Sequence, residues 1–235
     1  MNTNRSLALA SVALWIPIAA PAALITAYEV PAGLNGNQTN QAGFAYGTDF
    51  DVNSEILISS LGVFDSGQDG LLSPILVGIY DRATQQLVAA LGFDPGADGV
   101  LEGGSRFKPL PHVLRLSPGF QGSVIVAGYG DGVTRELGSN SFGSATGGID
   151  FPWTTNDGGG LISFVGTGRF AASAGVTTTI LPDVLVYPTT IDSGPANRYA
   201  AGTFKYSAIP EPAAVAIWIG VLVSGAAARS RRGMR

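Results

Sequence analysis

The sequence predicts an all-β fold, a β-sandwich of jelly-roll-like type, with an N-terminal signal helix and a C-terminal transmembrane helix on either side of it. The 235 residues include 33 glycines and 14 prolines, and most of these separate short runs rich in Val, Ile, Leu, Phe and Tyr. Before the C-terminal segment, none of these runs keeps a helical apolar stripe over about 12 residues. Many short strands divided by turn residues are typical of sandwiches and jelly rolls.

The predicted strands are the short apolar runs, in which β-branched and aromatic residues are frequent. They cover residues 56–64, 75–80, 87–93, 113–116, 123–129, 161–165, 176–181, 184–187 and 199–206. Between them stand dipeptides that favour tight turns with positive φ. These dipeptides are Asp69-Gly70, Asp98-Gly99, Pro118-Gly119, Asp131-Gly132 and Asp157-Gly158.

One stretch of the sequence is repeated. The residues Phe-Asp-Ser-Gly-Gln-Asp-Gly-Leu-Leu at 64–72 return as Phe-Asp-Pro-Gly-Ala-Asp-Gly-Val-Leu at 93–101, 29 residues later. Two copies are too few for a solenoid. The repeat instead predicts two similar loops, which we name the echo loops (residues 65–71 and 94–100), at one end of the sandwich.

The N-terminal segment has the pattern of a secretory signal peptide, which we assign to residues 1–27. Arg5 precedes an apolar stretch, residues 7–25, and small residues follow it. Cleavage after Ala22 fits the small-x-small rule, because the residue two positions earlier is also alanine. Cleavage after Ala27 fits less well, because Ile25 is not small. An uncleaved membrane anchor is the competing interpretation.

The C-terminal segment has three parts in order. Pro210-Glu211-Pro212 comes first, and residues 213–228 follow without a charge. The segment then ends in a basic cluster, which consists of Arg229, Arg231, Arg232 and Arg235. As a helix, residues 213–228 span about 24 Å, somewhat less than the roughly 30 Å hydrocarbon core, and the arginines can extend that span by reaching the headgroups. We expect a transmembrane helix with the arginines on the cytoplasmic side; the alternative is a buried core helix.

This three-part segment resembles the PEP-CTERM sorting signal of Gram-negative bacteria. The resemblance rests on Pro210, Glu211 and Pro212, on the apolar residues 213–228 and on the arginine cluster. It implies that an exosortase, a membrane-embedded cysteine-type transpeptidase or protease, recognises and cuts the segment near the Pro-Glu-Pro motif. Such proteins tend to occur in bacteria that make exopolysaccharide. By this resemblance the motif is a recognition site for another enzyme.

A second resemblance concerns the middle of the chain, from Leu61 to about Tyr129. Its marks are Leu-Gly-Val-Phe-Asp at 61–65, Val-Gly-Ile-Tyr-Asp at 77–81 and Leu-Ser-Pro-Gly at 116–119. The segment is similar to an uncharacterised jelly-roll-like module of exported bacterial proteins. That likeness implies a fold and no chemistry. The resulting organisation is a signal peptide (1–27), an exported β-sandwich (28–208) and a sorting segment (209–235).

Composition limits the function of the exported part. Residues 28–209 hold 16 acidic and 8 basic residues, a net charge of −8. Such a charge argues against a nucleic-acid partner, because phosphate binding needs clustered Lys and Arg. The absence of cysteine excludes disulfides and thiolate sites, and the single histidine, His112, excludes multi-histidine zinc sites.

Four aspartates of the echo loops are the candidate metal ligands: Asp65, Asp69, Asp94 and Asp98. Carboxylates in glycine-rich loops suit calcium, although the EF-hand spacing is not met. The alternative is that these side chains cap turns by accepting backbone hydrogen bonds. No other cofactor is expected.

Trp153 is the candidate for stacking against a sugar ring, because it stands beside the polar residues 154–160. Tyr129, Tyr187 and Tyr199 could extend such a platform. The alternative is that these aromatic rings fill the core of the sandwich.

These features predict a non-enzymatic exported protein, held at the cell surface or released into an extracellular polysaccharide matrix after an inner-membrane intermediate. Its expected partners are an exosortase, signal peptidase and the general export machinery, together with exopolysaccharide. A calcium-assisted carbohydrate-binding module is the second hypothesis. The third is a glycoside hydrolase that uses paired carboxylates.

Overall fold

Two antiparallel sheets contain most of the described strand residues, as seen in a computed structural model that describes residues 22–38, 44–130, 140–145, 151–172 and 185–209. All regular structure in these residues is β except for one short 3₁₀ turn, Ser66–Gln68. The prediction of an all-β, sandwich-like fold is therefore confirmed. Residues 1–21 of the predicted signal segment and the whole of the predicted transmembrane helix lie outside the described residues. Within the described ranges, no helix is long and apolar enough to cross a membrane.

The first sheet has five strands, and each pairs with its neighbours in antiparallel fashion. In order across the sheet they are β1 (Ile25–Thr26), β15 (Gly202–Ala208), β4 (Ile56–Phe64), β8 (Ser105–Leu116) and β7 (Val100–Glu102). The second sheet has six strands, also antiparallel. In order they are β13 (Thr190–Ile191), β12 (Ile162–Ala172), β3 (Phe44–Val52), β9 (Gln121–Ala127), β5 (Ile75–Asp81) and β6 (Gln86–Phe93).

Two short strand pairs complete the fold. Strand β2 (Tyr28–Glu29) pairs with β11 (Thr154–Thr155), and β10 (Gly143–Ser144) pairs with β14 (Tyr199–Ala200). In each pair one strand is next in the chain to a strand of the five-stranded sheet: β2 follows β1, and β14 precedes β15.

The main core lies between the two large sheets and is rich in aromatic rings. Alternate residues of β3 point into it, among them Tyr46 and Phe50, and the Phe50 ring centroid lies 4.8 Å from that of Phe204 on the opposite sheet. The sheets approach closely at Gly202, where a Cβ would stand 2.6 Å from Val126 Cγ1. Complete burial of a side chain such as Phe204 contributes about 3 kcal/mol, so these rings are a main source of stability.

The outer face of the six-stranded sheet carries a second, smaller apolar cluster. Leu76 and Ile125 point outward there and are covered by Leu185, with Tyr187 packed against them. Residues 184–187 were predicted as a strand, and the prediction is wrong for the described part, because Leu185–Tyr187 is not in a strand. Its apolar residues instead cover the sheet face, which explains why they resemble a buried strand in the sequence.

Strand β3 lies inside the second sheet, between β12 and β9, and was not predicted. Its outward residues include Asp49 and Asp51, so no continuous apolar run marks it. The inward residues Phe44, Tyr46 and Phe50 do show the two-residue period of a half-buried strand, which is the signal that could have identified it.

Strand β8 is much longer than the predicted run 113–116, because it continues through two prolines. Pro109 pairs with Ser60 next to a register shift, and β7 pairs only with Ser105–Phe107 on the other side of β8. Proline removes a backbone donor, and it is accepted here because the second edge of β8 has no strand partner at that point.

Three of the predicted Asp-Gly turns have the expected backbone. Gly70, Gly99 and Gly158 have φ values of 109°, 86° and 65°, the region that favours glycine. The predicted turn at Asp131-Gly132 and the predicted strand at 176–181 lie outside the described residues.

The two ends of the described domain meet at one edge of the five-stranded sheet. Ile25 pairs with Tyr206 and Thr26 pairs with Lys205 in an antiparallel register. This first strand lies within residues 1–27, the range that the sequence pattern assigned to the signal peptide. Further along, Gly104 N donates to Val30 O at 2.7 Å, so the residues after β1 also belong to the folded unit.

Candidate functional site

The first echo loop is organised around Asp65, the first of the candidate metal ligands. Its carboxylate is buried, and Arg106 Nε donates to its Oδ2 at 2.6 Å. Gly70 N donates to the same carboxylate at 3.2 to 3.3 Å, which closes the loop. Asp65 therefore serves as a turn cap and as the partner of a buried guanidinium.

The second echo loop is also closed by a carboxylate, but here it belongs to the second aspartate of the repeat, Asp98, which is less buried than Asp65. Asp98 Oδ2 accepts hydrogen bonds from Asp94 N at 2.7 Å and from Lys108 Nζ at 2.8 Å. Partial burial acts to raise the pKa of Asp98, but the Lys108 bond and the backbone amides of Asp94 and Gly99 outweigh it and hold the pKa below its usual value. Each loop thus pairs one carboxylate with one cation from β8.

The two echo loops lie side by side, as the repeat predicted. Leu71 N donates to Gly96 O at 2.9 Å, and Gly96 N donates to Leu71 O at 2.7 Å. The contact does not gather the candidate ligands, because Asp69 and Asp94 are exposed while Asp65 is buried against Arg106. In the part of the chain that the structure describes, no three Asp, Glu or His side chains are grouped as a metal site.

Trp153 is half-buried and packs against the main core. Its ring centroid lies 5.6 Å from that of Tyr28, with the rings tilted by 44°. Tyr129 and Tyr199 are buried, and Tyr187 lies under the Arg169 guanidinium at 5.5 Å. The structure therefore does not bring these four rings together as one exposed platform.

A polar cluster on the outer face of the six-stranded sheet was missed in the sequence. Asp49 on β3 accepts hydrogen bonds from Arg169 Nε at 2.7 and 2.8 Å and from Ser123 Oγ at 2.5 Å. Arg82 lies 3.5 Å from the same carboxylate and also binds Asp51. We name this set the Asp49 cluster. It joins strands β3, β9 and β12 to the turn after β5, and its two carboxylates balance two guanidinium groups.

A second polar cluster surrounds Asp192. Its carboxylate accepts hydrogen bonds from Arg198 Nη1, the Tyr199 hydroxyl and Gly194 N. Partial burial acts to raise the pKa of Asp192, but these three donors, led by Tyr199, hold the pKa below its usual value. The pKa of Tyr199 is raised, first by burial and then by its bond to the Asp192 carboxylate. The Asp-Ser-Gly at 192–194 is the turn signal that could have drawn attention to this loop.

The Asp192 cluster borders a small cleft of about 160 Å³. The cleft is lined by Gln38, Tyr46, Phe170, Asp192, Arg198 and Tyr199. Phe170 is half-buried at its margin, and burial raises the pKa of Tyr46 to about 12, so that phenol stays neutral and can donate a hydrogen bond. Aromatic surface beside amide, carboxylate and guanidinium groups is a lining that can bind a polyhydroxyl ligand.

A larger cleft of about 350 Å³ lies beside the five-stranded sheet. Glu29 and Glu102 both line it, together with Tyr28 and Phe107. Lys205 Nζ forms an ion pair with Glu102 and lies 4.4 Å from the centre of the Phe107 ring. The cleft thus brings two carboxylates to one lining, and one of them is already engaged by a lysine.

Comparison of the sequence with known proteins assigns no family to the chain. No family model matches the sequence, and no curated protein matches it. The residues that carry the sorting prediction lie outside the described part of the chain. They are Pro210, Glu211, Pro212, Arg229, Arg231, Arg232 and Arg235.

Proposed function

We propose that the protein is a non-enzymatic, jelly-roll-like β domain, which an exosortase sorts to the cell surface or to an extracellular polysaccharide matrix. The observation that carries the proposal is the three-part C-terminal sequence: Pro210-Glu211-Pro212, the uncharged residues 213–228 and the arginines that follow. Before processing, residues 213–228 hold the chain in the inner membrane, and the N-terminal segment directs its export through signal peptidase and the general machinery.

The end of the β domain supports this assignment. Strand β15 ends at Ala208, and the Pro-Glu-Pro motif begins two residues later. A cut near the motif therefore leaves every residue of β15 paired with β4, and leaves Lys205 and Tyr206 paired with β1 as well. The exported product keeps its whole hydrogen-bond ladder, which suits a protein that must remain folded after its anchor is removed.

Replacement of Pro210, Glu211 and Pro212 with alanine tests the sorting proposal. We expect the variant to remain in the inner membrane with an uncut C-terminus, measured by cell fractionation and intact mass. Pro118→Ala, a change in an exposed turn of the β domain, is the matched control and should be processed normally. Release of the triple variant at the normal mass and rate would contradict the proposal.

Carbohydrate binding is the second candidate, and the 160 Å³ cleft favours it. Its lining places Phe170 and Tyr199 beside Arg198 and Asp192. Apolar faces of sugars pack on aromatic rings, while hydroxyls need both donors and acceptors. The Asp192 cluster presents both in a fixed arrangement.

Affinity electrophoresis against the exopolysaccharide of the host, with calcium and with a chelator, measures this activity. We expect Phe170→Leu to abolish the retardation if the cleft is the site. Trp153→Leu abolishes it instead if the ligand stacks on Trp153. No retardation of the unaltered protein in either buffer would contradict carbohydrate binding.

The glycoside hydrolase hypothesis depends on Glu29 and Glu102 in the larger cleft. Glycosidases need one carboxyl group to act as an acid and a second to act as nucleophile or base. Here Lys205 already engages Glu102. Release of reducing sugar from the exopolysaccharide, lost in Glu102→Gln and in Glu29→Gln, would support hydrolysis over our proposal.

A further inference from the structure

We propose that the signal segment is cut between Ala22 and Ala23, and that residues 23–27 stay in the exported protein as part of its first sheet. The inference rests on the export that we propose above. The cut is a hydrolysis: the C–N bond between the two alanines breaks and the oxygen of one water joins the Ala22 carbonyl carbon. The nitrogen of Ala23, which already carries one hydrogen, takes up both protons of that water and becomes an ammonium group, and Ala22 ends in a carboxylate.

The five residues between the two possible cuts are part of the folded domain. Ile25 and Thr26 form β1, which pairs with β15. Ala27 is fully buried; its N–H donates to Phe204 O at 2.9 Å, and its carbonyl accepts from Asn156 N at 2.9 Å. A cut after Ala27 removes all of these bonds and leaves the Phe204 and Asn156 backbone groups without these partners.

A cut after Ala27 would also create a charge in a buried position. The new chain would begin at Tyr28, which is 1% exposed and whose N–H donates to Thr203 Oγ1 at 3.1 Å. An ammonium group there needs three acceptors or water, and an unpaired charge is costly to bury. The folded domain therefore disfavours Tyr28 as its first residue.

A cut after Ala22 neither removes the hydrogen bonds of Ala27 nor places an ammonium group in a buried position. Ala23 is exposed, and Leu24 is 60% exposed, so an ammonium group on Ala23 lies in water. Two exposed residues then precede β1, and the whole strand is kept. The cut also agrees with the small-x-small requirement, which Ala22 meets and Ile25 breaks for the later position.

The retained strand also protects the edge of the first sheet. Strand β15 lies between β1 and β4, so loss of β1 would leave one edge of β15 open along Lys205 and Tyr206. Open strand edges pair with other chains and promote aggregation. A protein destined for a dense matrix benefits from a closed edge, and only the earlier cut preserves it.

N-terminal sequencing and intact mass of the full chain, expressed in a Gram-negative host, test the inference. We expect a chain that begins at Ala23. A chain that begins at Tyr28, or an exported chain that retains Met1, would overturn the cleavage site and leave the export proposal standing. A full-length chain that stays in the cytosol, protected from external protease, would overturn both.

Two variants sharpen the test without affecting the fold of the mature protein. Ala22→Leu places a large residue before the scissile bond, and we expect it to reduce the Ala23 product about ten-fold or more. Residue 22 is absent from the proposed mature chain, so a folding defect cannot explain the loss. Leu24→Gln, an exposed position after the cut, is the control and should be processed normally. Unchanged processing of Ala22→Leu would overturn the inference.

Discussion

Arg169 on β12 donates from Nε to both carboxylate oxygens of Asp49 on β3, at 2.7 and 2.8 Å. The two residues are 120 positions apart in the chain, and they face each other on the outer side of the six-stranded sheet. Arg82 and Ser123 bind the same carboxylate, so four elements meet at one side chain. The Asp49 cluster therefore links parts of the six-stranded sheet that are far apart in the chain.

Loss of the central carboxylate should destabilise the domain strongly. Asp49→Asn keeps the shape of the side chain but removes its negative charge, so that the largely buried guanidinium groups of Arg82 and Arg169 lose a charged partner. We expect the free energy of unfolding to fall by about 3 kcal/mol. Urea denaturation measures the change. Glu55→Gln, which breaks the exposed pair with Arg115, is the control and should cost less than about 1 kcal/mol. Equal effects of the two variants would contradict the role of the cluster.

Acid should destabilise the domain through Asp98 and Asp192. Both carboxyls have folded pKa values below the usual one, so the stability they contribute is present above the unfolded value of about 3.9 and is lost as the pH falls through the folded values. We expect the melting temperature to be flat between about pH 5 and 7 and to fall below about pH 4.

Asp98→Asn is the variant that isolates this effect. It should lower the melting temperature at neutral pH and make the decline below pH about 4 less steep, because one of the titrating groups is gone. Asp69→Asn, at the exposed aspartate of the first echo loop, is the matched control. If the melting temperature of Asp98→Asn depends on pH as that of the unaltered protein does, the ion pair of Asp98 with Lys108 contributes little to stability.

Gly128 should tolerate no side chain, for reasons of both conformation and space. Its φ is 111°, and a Cβ would stand 2.3 Å from Pro74 O. Gly119 also has a positive φ, 87°, but a Cβ added to Gly119 would have no other atom within 4 Å. We expect Gly119→Ala to cost about 1 to 2 kcal/mol from backbone strain alone, and Gly128→Ala to cost clearly more. Chemical denaturation measures the free energy of unfolding of both variants, and the difference between the two losses is the cost of the steric clash at Gly128.

Calcium should stabilise the domain little. Asp65 and Asp98 already pair with Arg106 and Lys108, so a metal ion at the echo loops would have to displace these cations. At a ligand concentration 100 times the Kd, binding would add about 2.7 kcal/mol to the free energy of unfolding. Thermal melts with millimolar calcium and with chelator measure the difference, and a rise of that size would support the calcium hypothesis.

The sequence predicts most of the strands that bury apolar runs, and it misses structure that depends on distant partners. Strand β4 matches its predicted run, whereas β3 was missed because Asp49 and Asp51 interrupt it. Their charge is acceptable in a strand only because Arg169 and Arg82 arrive from elsewhere in the chain. The two prolines of β8 are likewise tolerated only because one edge of that strand has no partner beside them, and the local sequence does not show this.

The candidate site could be predicted only where its chemistry is local. The adjacent echo loops follow from a repeat that is visible in the sequence, and their turn caps involve residues a few positions apart. The Asp49 cluster and the 160 Å³ cleft each combine side chains from several strands. No short sequence pattern contains them, so they became visible only with the fold.

The pairing of Ile25 with Tyr206 has a practical consequence for engineering. Because the first and last strands run antiparallel as neighbours, a short glycine-rich linker can join them into a continuous backbone. New termini opened at the exposed residues 94–97 would give a circular permutant with the same sheet order. Such a permutant carries the β domain free of both of its natural export segments, which makes it suitable for biophysical work in solution.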